Sequence, residues 1–334
     1  MTDLYRPIVT SDAALSAGAE KLAGGRLTFT HAEHLTPGGP GPLVPVADLP
    51  ADVRGRLAEP RADLAGMDMG QPAIMGVLNV TPDSFSDGGR FIDPDLAIAQ
   101  AHAMWDGGAA ILDIGGESTR PGAAEVPVDE EIARTAPVIA AIRAELGGDV
   151  PISIDTRKAA VAEAALKAGA TLVNDVSGFT FDAALAPLCA EAEVPVCVMH
   201  TQGTPDVMQK NPIYENVLTD VYEVLARQID TLEAQGIPRA RILADPGIGF
   251  GKTLEHNCEI MKGLSLFHGL GCPVLLGASR KRFIGTIGQA PEADRRMPGS
   301  VAVALAGVRQ GVQVIRVHDV AETAQAIRLW QAVT

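Results

Sequence analysis

The sequence predicts an α/β fold, a (β/α)8 TIM barrel preceded by a small N-terminal extension. From Gln71 onward, eight short apolar runs alternate with segments of helical periodicity. These repeats occupy residues 70–334, which suits a barrel of about 250 residues. Glycine closes several of the helical segments, as at Gly107 and Gly169. An open doubly wound sheet is the alternative, but it usually has fewer repeats and a glycine-rich turn after its first strand.

Each repeat pairs a strand with a helix. The strands are predicted at 74–79, 110–114, 151–155, 171–174, 194–199, 241–244, 273–277 and 312–316. The helices are predicted at 94–107, 129–146, 158–168, 181–191, 215–235, 255–263, 299–309 and 320–332. The first strand is predicted at the start of the stretch IMGVLNVTPDSFSDGG (74–89). Its apolar run is too short for a helix, and polar and turn residues follow it up to residue 89.

Residues 1–69 form the predicted extension, and no pattern in them indicates chemistry or a role. The run 26–31 alternates like a short strand, and 51–57 has the spacing of a short helix. Glycine and proline concentrate at 36–45. His31 and His34 are expected at the surface rather than as metal ligands.

The composition excludes one broad class of function. The net charge is −14 and the pI about 4.9, whereas a nucleic-acid binder needs a basic surface. The cysteines have neither CxxC nor zinc-site spacing, so reduced core thiols in a cytoplasmic protein are expected. They are Cys189, Cys197, Cys258 and Cys272. A secretory signal and a membrane-spanning segment are not expected, because the first residues and the apolar runs lack the required patterns.

Polar or charged residues stand at the end of nearly every predicted strand. They are Asn79, Asp113 with the loop 115–122, Asp155, Asn174 with Asp175, His200, Asp245, the run 279–281, and Arg316 with His318. Barrel active sites are built at the carboxyl ends of the strands. A single polar strand end would mean little, but eight in phase predict one shared site.

The acidic part of this set comprises Asp155, Asn174 and Asp245. A buried carboxylate must be paired or hydrogen-bonded, so these residues suit a flat heterocycle that presents several N–H donors. A metal cluster and structural salt bridges are the alternatives. A metal cluster is less favoured because the three residues lie on separate strands without a histidine partner.

The cationic part follows the last two strands, where barrels often bind phosphate. Lys281 stands between Arg280 and Arg282, and Arg316 and His318 follow the eighth strand. A solvated basic turn is the alternative at 279–282, but an anion site is favoured in so acidic a chain. An Mg²⁺ ion bridging phosphate oxygens could be held by Asn79 and Asp87.

Other motifs carry less weight. The run 245–253 looks like a phosphate loop, but the required first glycine falls on Pro246. Its glycines are expected to let the chain pass close to a ligand, with Phe250 beside it. His200 is equally well interpreted as structural or functional, and His102 and His256 are expected at the surface. Covalent catalysis is not indicated, since no nucleophile–base pairing is legible.

With these residues in view, the chain resembles the dihydropteroate synthases of folate biosynthesis. The matching motifs are MGVLNVTPDSFSDGG (75–89), DIGGESTRPG (113–122), SIDT (153–156), NDVSG (174–178), MHTQGTP (199–205), DPGIGFGKT (245–253), GASRKRFIG (277–285) and RVHD (316–319). They occur in the family's order. Thr201 departs from the family pattern, where many members have methionine, and residues 1–69 lie outside the resemblance.

The resemblance implies a transferase reaction in which 4-aminobenzoate displaces pyrophosphate from 6-hydroxymethyl-7,8-dihydropterin diphosphate. By similarity, Asp155, Asn174, Asp245 and Lys281 hold the pterin, and Asn79, Arg316 and His318 hold the pyrophosphate. The 4-aminobenzoate side would comprise Thr119, Arg120, Pro121, Phe250 and Ser279. Lys281, Arg316 and Asp155 would be catalytic, with Mg²⁺ at Asn79 and Asp87 assisting a dissociative displacement.

The resemblance also implies loops at 82–90 and 116–124 that close over the site, a homodimer, and sulfonamide binding. A pterin-binding methyltransferase domain is one competing interpretation, but it would not need the SRK run at 279–281 or STRPG at 118–122. A non-catalytic relative is another, but it should lose several strand-end residues that this chain keeps.

Overall fold

The N-terminal part of the chain forms a four-stranded antiparallel sheet. The computed structural model describes residues 3–12, 17–36, 39–80, 94–118, 125–203 and 212–334. The strands are β1 (Leu4–Thr10), β2 (Glu20–Lys21), β3 (Thr28–Thr36) and β4 (Gly39–Pro45), and helix α1 (Ala51–Ala58) follows. Strand β3 pairs with each of the others. The predicted strand at 26–31 and helix at 51–57 are therefore parts of a larger unit.

This unit packs its own small core and also contacts the barrel. The core contains Leu22, Phe29, Ala32, Val46, Leu49, Val53 and Leu57. The Ser265 hydroxyl donates to the carbonyl of Pro7 at 2.9 Å, and the Arg61 guanidinium donates to the carbonyl of His268 at 3.0 Å. These hydrogen bonds attach the sheet and the segment after α1 to the barrel.

The predicted (β/α)8 barrel is confirmed. Its strands are β5 (Ala73–Asn79), β6 (Ile111–Gly115), β7 (Ile152–Asp155), β8 (Leu172–Asp175), β9 (Val196–Met199), β10 (Ile242–Asp245), β11 (Leu275–Leu276) and β12 (Val314–Val317). Its helices are α2 (Pro94–Gly107), α3 (Val128–Leu146), α4 (Ala159–Ala168), α5 (Leu185–Glu191), α6 (Val217–Ala234), α7 (Leu254–Lys262), α8 (Arg282–Ile287), α9 (Met297–Val308) and α10 (Val320–Val333).

Most predicted bounds agree with these to within two residues, and helix α5 is an exception. It begins at Leu185 rather than at residue 181, because Asp182 fixes a turn before it. The Asp182 carboxylate accepts the Ala184 N–H at 3.0 Å and the Ala159 N–H at 2.8 Å. A side chain that bonds nearby backbone groups in this way competes with the helix.

The barrel strands are all parallel, in the order β10-β9-β8-β7-β6-β5-β12-β11. An isolated parallel bridge between Ala244 and Val274 joins the two ends of this sheet. Strand β11 is shorter than predicted, partly because the Val274 N–H donates to the Gln313 side chain at 2.9 Å rather than to a strand.

The register of the sheet brings the strand ends to one rim. Asn79 pairs with Gly115, Gly115 with Asp155, and Asp155 with Asn174. Below this row the barrel interior is apolar, with Met75, Ile111, Leu172, Cys197, Leu243, Leu275 and Val314 in one cluster. Leu64, Met67 and Met69 belong to the same cluster. The segment before β5 therefore contributes to the barrel core, which the sequence did not predict.

In the part of the chain that the structure describes, no helix is both long and apolar enough to cross a membrane. The four cysteines are free thiols, as predicted. Cys189, Cys197 and Cys272 are buried, whereas Cys258 is half-buried and only partly fits the prediction of core thiols.

Candidate active site

A guanidinium between two carboxylates forms the centre of the barrel mouth. Arg316 of β12 donates from Nε to Asp113 Oδ2 at 2.6 Å and from Nη2 to Asp155 Oδ2 at 2.7 Å. Asp113 lies on β6 and Asp155 ends β7, and both carboxylates are buried. The predicted acidic and cationic residues therefore meet directly across the rim.

Asp113 also fixes the orientation of the Asn174 amide. Asn174 Nδ2 donates to Asp113 Oδ2 at 3.2 Å, so the nitrogen of the amide is engaged and its oxygen is left as an acceptor. Among the described residues, the second oxygen of Asp113 is buried with no hydrogen-bond partner. The sequence placed Asp113 at a strand end without giving it a role, and this is the main site residue that it missed.

Burial and neighbouring charges shift the pKa values of Asp155 and Arg316. Burial raises the pKa of Asp155 to about 7, Arg316 opposes that rise, and Asp113 and Asp175 add to it. Burial alone would lower the pKa of Arg316, but Asp113 and Asp155 outweigh burial and raise it. The guanidinium is therefore held in its charged form at the bottom of the mouth.

Asp175 directly follows Asn174, but its carboxylate bonds the next turn of the chain. Its carboxylate accepts the Ser177 N–H at 2.7 Å, the Ser177 hydroxyl at 2.8 Å and the Phe179 N–H at 2.7 Å. Burial raises its pKa to about 6, which the bonds from Ser177 and Phe179 partly oppose. These contacts shape the turn after β8.

Asp245 and Lys281 form the next part of the rim. The Gly247 N–H donates to Asp245 Oδ1 at 2.7 Å. Burial raises the pKa of Asp245, and the nearby Lys281 partly opposes this. Burial lowers the pKa of Lys281 to about 8, with Asp245 opposing and Arg316 adding to the shift. Lys281 donates to the carbonyl of Ile248, and its Nζ lies 4.4 Å from the centroid of the Phe250 ring.

Ser279 and His318 connect the ends of the last two strands. The His318 N–H donates to Ser279 Oγ at 3.2 Å, and Nδ1 of the same histidine lies 3.0 Å from that oxygen. Arg280 has a φ of 57°, and its guanidinium pairs with Asp319. Of the predicted basic run 280–282, Lys281 thus lies at the mouth, while Arg280 is engaged by Asp319 and Arg282 is exposed.

A buried ion-pair network supports the loop after β6. Lys158 Nζ lies 2.7 Å from Glu131 Oε2 and 3.3 Å from Glu117 Oε1, and it donates to the Val126 carbonyl at 2.5 Å. The Val126 N–H donates back to Glu117 Oε1 at 2.8 Å. Burial alone would raise the pKa of Glu117, but its bonds outweigh burial and lower it. Residues 117 and 126 are therefore held together.

The Asn79 side chain places an amide oxygen at the rim, and its predicted role in holding Mg²⁺ stays a prediction. Its amide oxygen is 3.6 Å from the position that a Cβ on Gly115 would occupy, at the rim beside Asp155. Mg²⁺ prefers oxygen ligands and often takes only one or two from protein, together with water and phosphate. Among the described residues, no group of three histidine, cysteine, aspartate or glutamate side chains could hold a metal.

Four of the predicted site residues lie outside the described residues: Thr119, Arg120 and Pro121 of the 4-aminobenzoate set, and Asp87 of the metal set. Most of the predicted loop residues at 82–90 and 116–124 lie outside them as well. The predicted roles of these residues stay predictions.

A separate cavity lies between the N-terminal sheet and the barrel. Arg26, Met69, Gln71 and Trp330 are among its lining residues, and none of the strand-end residues lines it. It lies away from the rim.

Comparison with known proteins identifies the family. A family model described as "Pterin binding enzyme" matches residues 75–318. The dihydropteroate synthase of Haemophilus influenzae is 44% identical over 266 residues, which cover 80% of this chain and 95% of that protein. The chain belongs to the dihydropteroate synthase family. The resemblance is thereby confirmed, together with the predicted transferase class.

Solved structures of dihydropteroate synthases agree with the fold. That of Xanthomonas albilineans with 4-aminobenzoic acid has a TM-score of 0.76 and 42% identity, covering 82% of this chain and 98% of that one. That of Yersinia pestis in a sulfonamide drug complex has a TM-score of 0.75 and 44% identity, covering 80% of this chain and 96% of that one. Residues 1–69 lie before the stretch that the family model matches.

Proposed function

We propose that this protein condenses 4-aminobenzoate with 6-hydroxymethyl-7,8-dihydropterin diphosphate, giving 7,8-dihydropteroate and pyrophosphate. The observation that carries the proposal is the single rim on which Asp155, Asn174 and Asp245 lie beside Lys281 and Phe250. The carboxylates and the amide supply hydrogen-bond acceptors for a heterocycle, Lys281 supplies a cation, and Phe250 supplies an aromatic surface.

The pterin ring would lie against the acidic part of the rim. Its amino-pyrimidinone edge presents N–H donors, which the carboxylate of Asp245 and the amide oxygen of Asn174 can accept. Lys281 and Asp155 complete the set by facing the remaining polar atoms of the ring. The contact from Asp113 supports this assignment, because it turns the Asn174 oxygen into the available acceptor.

The diphosphate would bind next to Asn79, Arg316 and His318. An arginine has five N–H donors, and the carboxylate contacts of Arg316 use its Nε and Nη2 atoms. Asn79, with Asp87, would hold Mg²⁺. When bound, the ion would neutralise charge on the pyrophosphate leaving group. The position of Asn79 at the end of β5, beside Gly115 and Asp155 on the rim, and the preference of Mg²⁺ for oxygen ligands support this assignment.

The 4-aminobenzoate would bind on the Phe250 and Ser279 side, with Thr119, Arg120 and Pro121 completing the pocket. The Xanthomonas albilineans relative has been solved with 4-aminobenzoic acid, which supports the substrate class. Ser279 Oγ is already fixed by His318, so its hydroxyl can offer a defined contact to a carboxylate.

The chemistry needs positioning more than acid–base catalysis. The bond from the pterin methylene carbon to the diphosphate oxygen breaks first, the amine nitrogen then forms a bond to that carbon, and the amine releases one proton to water. The arylamine is neutral near pH 7, so a strong general base is not needed. The electron-rich pterin can spread positive charge, which makes a dissociative path reasonable. Lys281, Arg316 and Asp155 would position the ring and stabilise the leaving group.

The proposal includes a cytoplasmic homodimer formed through the outer helices, as the family resemblance implies. Sedimentation analysis of the purified protein tests the oligomeric part. A single species with the mass of one 34.8 kDa chain would contradict it.

The test of the reaction is pyrophosphate release that depends on 4-aminobenzoate, with the product identified by its mass. Asp245→Asn keeps the shape of the side chain but loses the charge. Complete loss of two charge-assisted hydrogen bonds of about 2 kcal/mol each would correspond to about 10³, so we expect kcat/KM to fall by up to that factor. Asp149→Asn changes an exposed aspartate and is the matched control.

The expected control result is unchanged kinetics for Asp149→Asn. Normal turnover by Asp245→Asn would remove Asp245 from the pterin site. Release of pyrophosphate without 4-aminobenzoate, or a methylated product from a methyl donor and a reduced folate, would contradict the proposed reaction itself.

A further inference from the structure

A buried lysine lies behind the turn that carries Phe250. Lys252 has 3% of its surface exposed, and its Nζ lies 2.9 Å from His200 Nδ1 and from the carbonyl oxygens of Gly247 and Phe250. In the described part of the chain, no carboxylate is within ion-pair distance of it. Burying an amine without a carboxylate partner is costly. The proposed reaction gives Lys252 no role that would account for this burial.

The three contacts satisfy Lys252 in either protonation state. As an ammonium it donates to His200 Nδ1 and to both carbonyls. As a neutral amine it donates to the two carbonyls and accepts a hydrogen bond from His200 Nδ1–H. The attachment of the turn to Lys252 therefore does not require a particular charge on the lysine.

The turn itself has little conformational stiffness of its own. Gly247, Gly249 and Gly251 have φ values of 69°, 83° and 59°, in the left-handed region that favours glycine. A Cβ on Gly247 would lie 1.9 Å from the His200 carbonyl oxygen, so the backbone also approaches β9 closely. Glycine permits this path but does not fix it. The Phe250 N–H donates to the Gly247 carbonyl at 3.1 Å, and side-chain contacts hold the turn further, including the Gly249 N–H bond to Asn257 Oδ1 at 2.6 Å.

Two lysines donate to carbonyls of this turn. Lys252 donates to the carbonyls of Gly247 and Phe250, and Lys281 donates to the carbonyl of Ile248 between them. Asp245 and Lys281 are the charged groups that act on Lys252, and His200 is the titratable group in direct contact. Burial lowers the pKa of His200 to about 3, so this ring stays neutral at working pH.

We infer that Lys252 is a positioning residue, which holds the 247–250 turn so that the Phe250 ring faces the Lys281 ammonium and forms the 4-aminobenzoate wall. The inference rests on the proposed function, since it takes Phe250 to contact that substrate. Lys252 touches neither substrate and acts through Phe250. Its presence also explains why the run 245–253 resembles a phosphate loop: the lysine and glycines serve a turn rather than a phosphate.

The first experiment compares Lys252→Met with Lys262→Met, which changes an exposed lysine on α7. Kinetics are measured at a temperature where thermal unfolding shows every variant to be folded. We expect Lys252→Met to raise the KM for 4-aminobenzoate about tenfold while the pterin diphosphate KM changes less than threefold, because small misplacements of a binding group are costly. Lys262→Met should match the wild type.

A double-mutant cycle with Phe250→Ala separates positioning from general structural support. If Lys252 acts through Phe250, adding Lys252→Met to Phe250→Ala should change the 4-aminobenzoate KM by less than twofold. Should Lys252→Met fail to fold, His200→Ala removes one of the three contacts and should give a smaller rise, about threefold, that also disappears in the Phe250→Ala background.

The outcomes distinguish the two proposals. No effect of Phe250→Ala on the 4-aminobenzoate KM would place the failure in the proposed function. Two results would overturn the positioning role. One is a rise in the 4-aminobenzoate KM from Phe250→Ala that is the same with and without the changes at Lys252 and His200. The other is a Lys252→Met variant with lower kcat and unchanged KM.

Discussion

Replacing Glu131 by glutamine should destabilise the protein far more than the same change at its neighbour Glu130. Glu131 is fully buried on α3, where its carboxylate lies 2.7 Å from Lys158 Nζ and accepts the Thr156 hydroxyl at 2.7 Å. The Glu130 side chain is 52% exposed and pairs with Arg134 one helical turn away. The two substitutions remove the same charge from adjacent positions of one helix.

The expected magnitudes differ because the two environments differ. Removing one partner of a buried ion pair leaves an uncompensated charge and typically costs about 3–5 kcal/mol. Glutamine keeps an oxygen for Thr156, and Lys158 keeps Glu117 as a second carboxylate at 3.3 Å, so we expect the lower end of this range, about 3 kcal/mol, for Glu131→Gln. An exposed pair at this helical spacing contributes about 0.3–0.5 kcal/mol, which is the most that Glu130→Gln should cost.

Urea unfolding followed by circular dichroism measures both changes in the free energy of unfolding. The difference between the two variants should be at least about 2 kcal/mol, and it should persist in 0.5 M salt, where the exposed pair is screened. Equal losses at the two positions would refute the reasoning, since they would mean that the network of Lys158, Glu131 and Glu117 is not sealed from water.

Two further predictions concern the rim. Ser279→Ala should raise the KM for 4-aminobenzoate by roughly tenfold, which corresponds to the loss of one hydrogen bond to a charged group. The pterin KM should rise less. Initial rates with each substrate varied in turn measure both values, and the opposite ranking would remove Ser279 from that pocket. The pterin kcat/KM should fall as pH rises through about 8, the pKa to which burial lowers Lys281. Unfolding would not explain that fall. Between about pH 8 and the usual lysine pKa, Lys281 is protonated in the unfolded state but largely neutral in the folded state. The free energy of unfolding therefore rises with pH in this range. A flat profile from pH 7 to 10 would contradict the charged role of Lys281.

The barrel could be predicted because its strands are buried on both faces. The run 74–79 has no polar residue before Asn79, and 151–155 has only Ser153 before Asp155, so each run ends at a polar residue that marks the rim. The N-terminal sheet could not be predicted in the same way. Strand β4 contains glycine and proline, which normally argue against a strand, but among the described strands it pairs with β3 alone and lies at the sheet edge. Proline is tolerated at such edges.

The composition of the candidate site was predictable, but its pairing was not. Nearly every predicted strand ends in a polar residue, and the carboxyl ends of barrel strands meet at one mouth. Asp155, Asp245 and Arg316 could therefore be assigned to that mouth. Which charges meet across the barrel depends on register and side-chain direction, which a local pattern does not contain. The contact of Arg316 with Asp113 therefore required the structure, as did the burial of Lys252 behind the Phe250 turn.

The most direct test of the account is the crystal structure of this protein with 6-hydroxymethyl-7,8-dihydropterin diphosphate and Mg²⁺. The account predicts the ring against Asn174 and Asp245, with the diphosphate beside Asn79 and His318. Density for the pterin in the cavity that Arg26 and Trp330 line, with the rim left to water, would contradict it.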